Sequence, residues 1–191
     1  MLAPDQPIAR VNGVYVNEKE YGGPYSSRSK ISLTPGVGVS HPDHVSLNGE
    51  VTVRVVHRRA AREIIKMLGL LPRDLDGYEN DAGIFVARAV RAHAYLSSDD
   101  HTRIDDLEVG SRLWVPKENG PVLGYRSHWV MGIEDARHVL ANHPHKPNLE
   151  AIETMTRGLS RQEVGFVAEV LEAGELNPDD ELYFDQREVR K

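Results

Sequence analysis

The chain of 191 residues contains no cysteine, and its longest apolar runs are only a few residues. The first absence excludes disulfides, thiolate zinc sites, iron–sulfur clusters and a cysteine nucleophile. The second argues against a membrane-spanning helix, which needs about 20 predominantly apolar residues. The N-terminal residues also lack the basic flank and the apolar stretch of a secretory signal. We therefore expect a protein without membrane attachment, either cytoplasmic or part of a phage particle.

Motifs that identify a reaction are also missing. The sequence has no G-x-x-x-x-G-K-S/T phosphate loop, no G-x-G-x-x-G turn and no G-x-S-x-G elbow. Hydrophobic residues make up 40% of the chain and charged residues 27%, which suits the core and surface of one globular domain. Because no convergent catalytic set is visible, a non-enzymatic protein is favoured over an enzyme.

Charge differs between two parts of the chain. Residues 1–71 hold nine basic and six acidic residues, whereas residues 72–191 hold fourteen basic and twenty-three acidic ones. This asymmetry indicates that two faces or ends of the protein meet different partners. Arginine outnumbers lysine by seventeen to six, which is typical of a GC-rich genome and favours a bacterial or phage origin.

The order of the local patterns predicts an α+β fold, in which a small antiparallel sheet and hairpins pack with about five helices. Residues 1–47 are rich in Gly, Pro, Ser and Asn and predict an extended N-terminal arm with short strands. Within this arm, Asn12-Gly13 lies between apolar residues and predicts a hairpin turn. Residues 48–191 are predicted to form a single α+β domain whose C-terminal part is helical.

Hydrophobic periodicity places the elements of this domain. Alternating valines predict a strand at 50–55, and the segments 107–116 and 122–131 predict a hairpin. Residues 177–184 fit either a helix start or a terminal strand. Helices are predicted at 58–68, 82–96, 134–141, 149–157 and 160–174.

Two of these predictions depend on particular residues. Ser160 and Glu163 have the spacing of a capping box, which predicts that the last helix begins there. Trp114 and Trp129 lie in the two strands of the predicted hairpin, where an indole is expected to pack in a core or an interface.

Five basic residues form one candidate surface for an anionic partner: Arg54, Arg58, Arg59, Arg62 and Lys66. Arg58, Arg62 and Lys66 recur every four residues and therefore share one face of a helix. Arg88 and Arg91 in the next predicted helix extend this surface. An acidic protein is favoured over nucleic acid, because no aromatic residues accompany the stripe and the pI is about 5.8.

Histidines supply the alternative site. The two pairs with chelate spacing are His41 with His44 and His143 with His145. If the two loops converge, the four imidazoles form a site for a divalent transition metal. A carboxylate such as Asp43 or Asp100 would then orient or deprotonate a water molecule.

Three functions follow from these patterns. The favoured one is a protein–protein interaction or assembly subunit, which uses the arm and the basic helix face to bind a protein partner or to self-associate, and which needs no cofactor. The first alternative is a metal-dependent hydrolase that uses the histidine pairs. The second is a DNA-binding accessory protein, which requires an affinity that falls steeply with salt.

Overall fold

Seven strands of the chain close into a β-barrel in the computed structural model, which describes residues 7–18, 23–47, 49–75, 81–98 and 104–185. The strands are β1 (Ala9–Val16), β2 (Ser26–Arg28), β3 (Ile31–Thr34), β4 (Gly38–Val39), β5 (Thr52–His57), β6 (Ala94–Ser97), β7 (Arg112–Trp114), β8 (Val122–Val130), β9 (Glu163–Glu172), β10 (Gly174–Leu176) and β11 (Glu181–Asp185). The helices are α1 (Arg58–Met67), α2 (Ala82–Ala89), α3 (Ile133–Ala141) and α4 (Leu149–Leu159), with a 3-10 helix at Pro72–Leu75.

The barrel is closed by the two ends of the chain. Its strand order is β11-β7-β8-β9-β5-β6-β1, and β1 pairs with β11 through Ala9 opposite Leu182. All neighbours are antiparallel except β5 and β6, which run parallel. The strand β2 extends the sheet from β1, and β10, β3 and β4 form a separate three-stranded sheet.

Two hydrophobic cores lie on the two sides of the barrel wall. The inner core takes residues from every barrel strand, for example Val55 and Phe166. The outer core lies between the wall and the helices, and joins Val56 and Trp129 to Ile64 of α1. Since successive residues of a strand face opposite ways, Val55 and Val56 serve different cores. The helices therefore cover part of the outer wall, and this layer positions the candidate site.

The predicted α+β fold of a small sheet packed with about five helices is wrong. Strands dominate the described structure, and the sheet closes on itself instead of packing as one layer. The largest error is the helix predicted at 160–174, where the chain forms β9. Alternating residues of that strand, Phe166 and Ala168, fill the barrel, so a period of two applies.

The apparent capping box at Ser160 marks the end of a helix and not its start. Ser160 terminates α4 by donating its N–H to the Thr156 carbonyl. Gly165 then lets β9 approach β5 closely, because a Cβ there would lie 1.8 Å from the Val55 carbonyl oxygen. A side chain at this position is incompatible with the barrel wall.

The extended N-terminal arm is corrected over its described part. The strand β1 runs through Asn12 and Gly13 as one barrel strand with a bulge against β6, where a hairpin turn was predicted. Its valines are fully buried. The strand β3 pairs with β10 near the other end of the chain. These pairings join residues far apart in sequence, which local patterns do not reveal.

Other elements agree with the sequence. The strand β5, the helix α1, the hairpin of β7 and β8 and the helices α3 and α4 are confirmed within a few residues, and the C-terminal alternative of a strand is confirmed by β11. The helix predicted at 82–96 is half right, since α2 ends at Ala89 and β6 begins at Ala94. Within the described ranges, no helix has the length and apolar character needed to cross a membrane.

Candidate functional site

Arg54 lies on the outer face of β5 between two valines that point into the barrel. The alternation of the strand turns its side chain outward, into the layer beneath the helices. The guanidinium carbon lies 5.2 Å from the centroid of the Trp129 ring, within range of a cation–π interaction. The side chain is 18% exposed, so this charge is largely removed from water.

Glu50 is the ion partner of Arg54. Its Oε1 lies 2.8 Å from the arginine Nε, although the N–H is not aligned with it, and its Oε2 accepts from Nη2 at 3.2 Å. The same Nη2 lies 3.5 Å from the Tyr25 hydroxyl. Burial raises the pKa of Glu50 and outweighs the lowering effect of Arg54. The pair is therefore formed in a poorly hydrated environment.

His93 lies behind Arg54 and is 1% exposed. The His93 Nδ1 accepts the backbone N–H of Arg54 at 3.1 Å, and the backbone N–H of His93 donates to the Arg54 carbonyl at 2.8 Å. Burial, followed by the charge of Arg54 and the nearby His44, lowers its pKa well below the usual value. The ring is therefore neutral with its proton on Nε2. Among the described residues, no protein acceptor reaches that Nε2.

His44 is a second neutral imidazole, located in the loop after β4. Its Nδ1 accepts the backbone N–H of Asn17 at 3.2 Å, which leaves the proton on Nε2. Burial lowers its pKa to about 4, with further lowering by His41 and Arg54. Its ring contacts that of His93 edge to face, with centroids 5.3 Å apart.

Tyr25 completes the group from the segment before β2. Its backbone N–H donates to the Arg88 carbonyl at 3.0 Å, and the Arg88 side chain donates back to the Tyr25 carbonyl at 2.6 Å. The phenol ring packs against both imidazoles, 5.6 Å from His93 and 6.2 Å from His44. Burial raises the pKa of Tyr25, so its hydroxyl keeps its proton at neutral pH.

We call this group the Arg54 cluster: Tyr25, His44, Glu50, Arg54, His93 and Trp129. It combines one guanidinium, two imidazole N–H groups and a phenol hydroxyl around a single carboxylate. Side chains with shifted pKa values gathered from separate segments are typical of functional sites. Because donors outnumber acceptors, the group is suited to an acceptor-rich ligand.

A second group of titratable residues lies at one end of the barrel, where β5 ends and β9 begins. The Glu163 Oε1 lies 3.7 Å from the His57 Nε2 and 3.4 Å from the His128 Nδ1. Tyr125 packs against His128, and burial, followed by the charge of Glu163, raises its pKa. Here a carboxylate lies within ion-pair distance of both imidazoles, so the chain itself supplies the anion that they face.

The predicted metal ligands His41, His44, His143 and His145 are not gathered at one place. His44 lies in the Arg54 cluster. His143 is buried with its Nε2 3.2 Å from the Leu68 carbonyl, and the His145 Nε2 lies 3.0 Å from the Asp74 carboxylate. No three histidine, aspartate or glutamate side chains in the described ranges are arranged to hold a metal ion. Asp100 lies outside the described residues.

The predicted basic surface Arg54, Arg58, Arg59, Arg62 and Lys66 divides into two environments. Arg54 belongs to the cluster described above, and Arg58 donates to the Tyr95 hydroxyl at 3.0 Å. Arg59 lies 3.6 Å from Asp105, and Lys66 lies 2.7 Å from Glu63. Arg62 is exposed on α1.

No family model matches the sequence, and no curated protein matches it. Solved structures do share the fold. YuaD from Bacillus subtilis has a TM-score of 0.65 at 16% identity, over 94% of this chain and 97% of that one. A hypothetical protein has a TM-score of 0.54 at 16% identity, over 93% of this chain and 68% of that one. YiiM from Escherichia coli has a TM-score of 0.52 at 12% identity, over 94% of this chain and 71% of that one. At these identities the likeness concerns the barrel fold alone.

The sequence placed two members of the Arg54 cluster in candidate sites, but in two different ones. Arg54 was grouped with α1, and His44 with the metal ligands. Tyr25, Glu50 and His93 were missed, and Trp129 was expected to be only a core or interface residue. His93 did carry a signal, since it is a single histidine in the apolar segment 92–96. Because a continuous helix was predicted through that segment, His93 was not recognised as a buried polar residue beside a strand.

Proposed function

We propose that this protein binds a small anionic molecule at the Arg54 cluster. The observation that carries this proposal is the buried His93 Nε2–H, which has no protein acceptor among the described residues. An unsatisfied buried donor costs about 1–3 kcal/mol. An oxygen of an anionic ligand would satisfy it next to the guanidinium of Arg54. The half-buried ring of His44, whose centroid lies 5.3 Å from that of His93, adds a second Nε2–H donor.

The hydrogen-bonding roles of the two histidines support an anion over a cation. The Nδ1 of each ring already accepts a backbone N–H, from Asn17 or from Arg54. Only the protonated Nε2 remains for a ligand, so each ring acts as a donor. A cation would need acceptors here, and Glu50 is the one carboxylate of the cluster.

Glu50 stands in the position that a ligand carboxylate or phosphate would take on Arg54. It competes for the guanidinium, and its raised pKa reflects the cost of keeping its charge there. A ligand that brings its own charge would either share the guanidinium with Glu50 or displace it. The proposal therefore predicts tighter binding when Glu50 is replaced by glutamine.

The test is a titration of the protein with inorganic phosphate and with acetate, followed by calorimetry and by the imidazole ¹⁵N resonances. We expect saturable binding with a Kd of about 1 mM or below, and shifts at the Nε2 of His44 and His93. Arg54→Gln should weaken binding at least about 10-fold, since charge-assisted hydrogen bonds are lost.

Arg62→Gln is the matched control, because it removes the same charge from the exposed face of α1. It should leave the affinity unchanged within about 2-fold, as expected for a screened surface charge. Equal weakening by both substitutions would mean that only the overall charge attracts anions. Absence of saturable binding to either anion would contradict the proposal.

The interaction or assembly role predicted from the sequence stays a prediction. Exposed apolar side chains that bear on it lie on α3 and α4, where Ile133 is 55% and Leu149 is 85% exposed. Sedimentation velocity of the wild-type chain and of Leu149→Asp tests self-association. A wild-type dimer that the substitution dissociates would support it, and a monomer at all concentrations would contradict it.

A further inference from the structure

The guanidinium of Arg54 already has a counter-ion, the carboxylate of Glu50. The Glu50 Oε1 lies 2.8 Å from the Arg54 Nε, and its Oε2 accepts from Nη2 at 3.2 Å. Both side chains are largely buried, with exposed fractions of 18% for Arg54 and 20% for Glu50. The imidazoles of His44 and His93 are neutral, because burial lowers both pKa values. The charges of the ion pair therefore cancel, and these four side chains carry no net positive charge.

The surroundings of Glu50 favour its neutral form. Burial raises the pKa of Glu50, and Arg54, followed by Thr52 of the same strand, lowers it by less. The charge of Asp135 on α3 adds to the effect of burial. The Tyr25 hydroxyl, which keeps its proton, is the neutral group that interacts with this carboxylate from the segment before β2. The ionised form of Glu50 therefore depends on its contact with Arg54.

A bound anion would compete for that contact. Because the Glu50 carboxylate contacts both Nε and Nη2 of Arg54, an anion on this guanidinium either displaces the carboxylate or lies beside it. Two anionic groups that share one poorly hydrated site repel each other strongly, and the repulsion favours protonation of one of them. Glu50 is the group that would be protonated, since the ligand then holds the charge of Arg54.

We propose that the Arg54 cluster binds its anion together with one proton, which Glu50 takes up from solvent. This inference rests on the proposed function. The proton joins a carboxylate oxygen of Glu50 as the anion joins Arg54, so one ion pair is exchanged for another. A protonated Glu50 also donates its O–H to an oxygen of the ligand, which the ionised form cannot do. The affinity for an anion therefore increases as the pH falls.

The test is isothermal titration calorimetry with sulfate and with acetate, whose charges stay constant between pH 6 and 8. Titrations in two buffers of different ionisation enthalpy give the number of protons taken up per bound anion. The wild-type chain should take up about one proton at pH 7, and its affinity should fall about 10-fold for each unit by which the pH rises. On binding, the ¹³C resonance of the Glu50 carboxyl should move to the position of a neutral acid.

Glu50→Gln imitates the protonated side chain, because an amide donates a hydrogen bond and does not titrate. This variant should take up no proton, and its affinity should stay within about 2-fold between pH 6 and 8. At pH 8 it should bind at least about 10-fold more tightly than the wild-type chain. Glu134→Gln is the matched control, since it removes an exposed carboxylate from α3. It should keep the proton uptake and the pH dependence of the wild-type chain.

The outcomes separate this inference from the proposed function. If Glu50→Gln still takes up a proton, the histidines are protonated instead, and the role of Glu50 is overturned while the anion site stands. The same holds if the wild-type chain binds an anion without proton uptake. If phosphate binds but sulfate and acetate do not, the ligand brings the proton to an ionised Glu50, which also overturns the inference.

If the wild-type chain binds none of the three anions, the proposed function fails, and this inference with it. The ¹³C measurement on the wild-type chain keeps the test decisive if Glu50→Gln does not fold. A carboxyl resonance that stays at the ionised position in the complex would overturn the proton uptake by Glu50 without any variant.

Discussion

Arg54 and the basic residues of α1 are close in sequence but lie in different surroundings. Arg54 is largely buried between the Glu50 carboxylate and the Trp129 ring. The side chains of Arg59 and Lys66 are 60% and 72% exposed, and each pairs with one exposed acid. The five residues predicted as one surface are therefore two regions with different electrostatics.

The difference shows that burial, and not the number of arginines, decides what a charge contributes. An exposed ion pair contributes about 0–1 kcal/mol and is screened over about 8 Å at physiological salt. A largely buried pair behaves differently, because removing one partner leaves the other poorly hydrated and uncompensated. The Arg54 cluster should therefore respond strongly to single substitutions that the exposed face of α1 tolerates.

The largest effect is expected when the buried charge itself is removed. Arg54→Met should lower the free energy of unfolding by about 2–4 kcal/mol, since Glu50 loses its ion partner and Trp129 its cation. Arg62→Met on α1 should change it by less than about 0.5 kcal/mol. Urea denaturation of both variants measures the difference.

A double-mutant cycle attributes the loss to the pair. Glu50→Gln in the Arg54→Met background should restore part of the stability, because the uncompensated carboxylate is gone. If Arg54→Met and Arg62→Met lowered the free energy of unfolding equally, the two regions would be energetically alike, and the distinction between a buried and an exposed charge would be contradicted.

A smaller effect is expected from pH. The pKa of His44 is lowered from 6.5 to about 4, and those of His93 and His138 are lowered as well, in each case mainly by burial. Below pH 6.5 an unfolded histidine binds a proton that the folded ring does not, and for His44 this difference extends down to about pH 4. Stability should therefore fall as the pH decreases through this window, by at most about 1.4 kcal/mol per pH unit for each histidine.

His44→Asn tests how much one of these three histidines contributes to the pH dependence of stability. Asparagine keeps an acceptor for the Asn17 N–H but does not titrate, so the stability curve should be flatter between pH 6.5 and 4. The change should be below the full value per histidine, because water screens a half-exposed ring. An unchanged slope would exclude His44 as a source of the pH dependence.

The sequence predicted the elements whose signal is local and failed where the barrel joins distant segments. The helix α1 and the hairpin of β7 and β8 follow from periodicity within a few residues. The strand β9 was mistaken for a helix, because Val164, Val167, Ala168 and Leu171 also have helical spacing. Barrel closure through the pairing of Ala9 with Leu182 has no local signal at all.

The candidate site escaped prediction for the same reason. Its residues come from five separate segments: the approach to β2, the loop after β4, the strand β5 with its entry, the residue before β6, and β8. Each residue taken alone fits an ordinary loop, strand or core position. Only the pairing of β5 with β6 places His93 beside Arg54.

An intermediate effect on stability is expected at the boundary between the two regions, where β5 ends at His57 and α1 begins at Arg58. Asp81 accepts from the Tyr95 hydroxyl at 3.1 Å and from the Gly83 N–H at 2.8 Å, and it lies 3.7 Å from Arg58. Asp81→Asn keeps a cap for α2 but removes the charge. It should lower the free energy of unfolding by about 0.5–1 kcal/mol and leave phosphate affinity unchanged within about 2-fold.

Asp81→Ala is the comparison for the cap. It also removes the acceptor for the Gly83 N–H, so it should lower the free energy of unfolding, measured by urea denaturation, by about 1–2 kcal/mol. If Asp81→Asn instead weakened phosphate binding as much as Arg54→Gln, then Arg58 and Arg54 would act as one surface, and the division between the regions would be misplaced.

The smallest effect is expected from reversing a charge on the exposed face of α1. Arg62→Glu changes the net charge by two units at a solvated position, so the free energy of unfolding should change by less than about 0.5 kcal/mol. At 0.15 M salt, phosphate affinity should change by less than about 2-fold, because screening attenuates the interaction over about 8 Å. Lowering the salt should widen the difference between Arg62→Glu and the wild-type chain. Arg54→Gln should stay defective at every salt concentration, since its loss concerns direct hydrogen bonds to the ligand. A reversal at Arg62 that weakened binding as strongly at high salt as at low salt would place the anion on α1 and not in the Arg54 cluster.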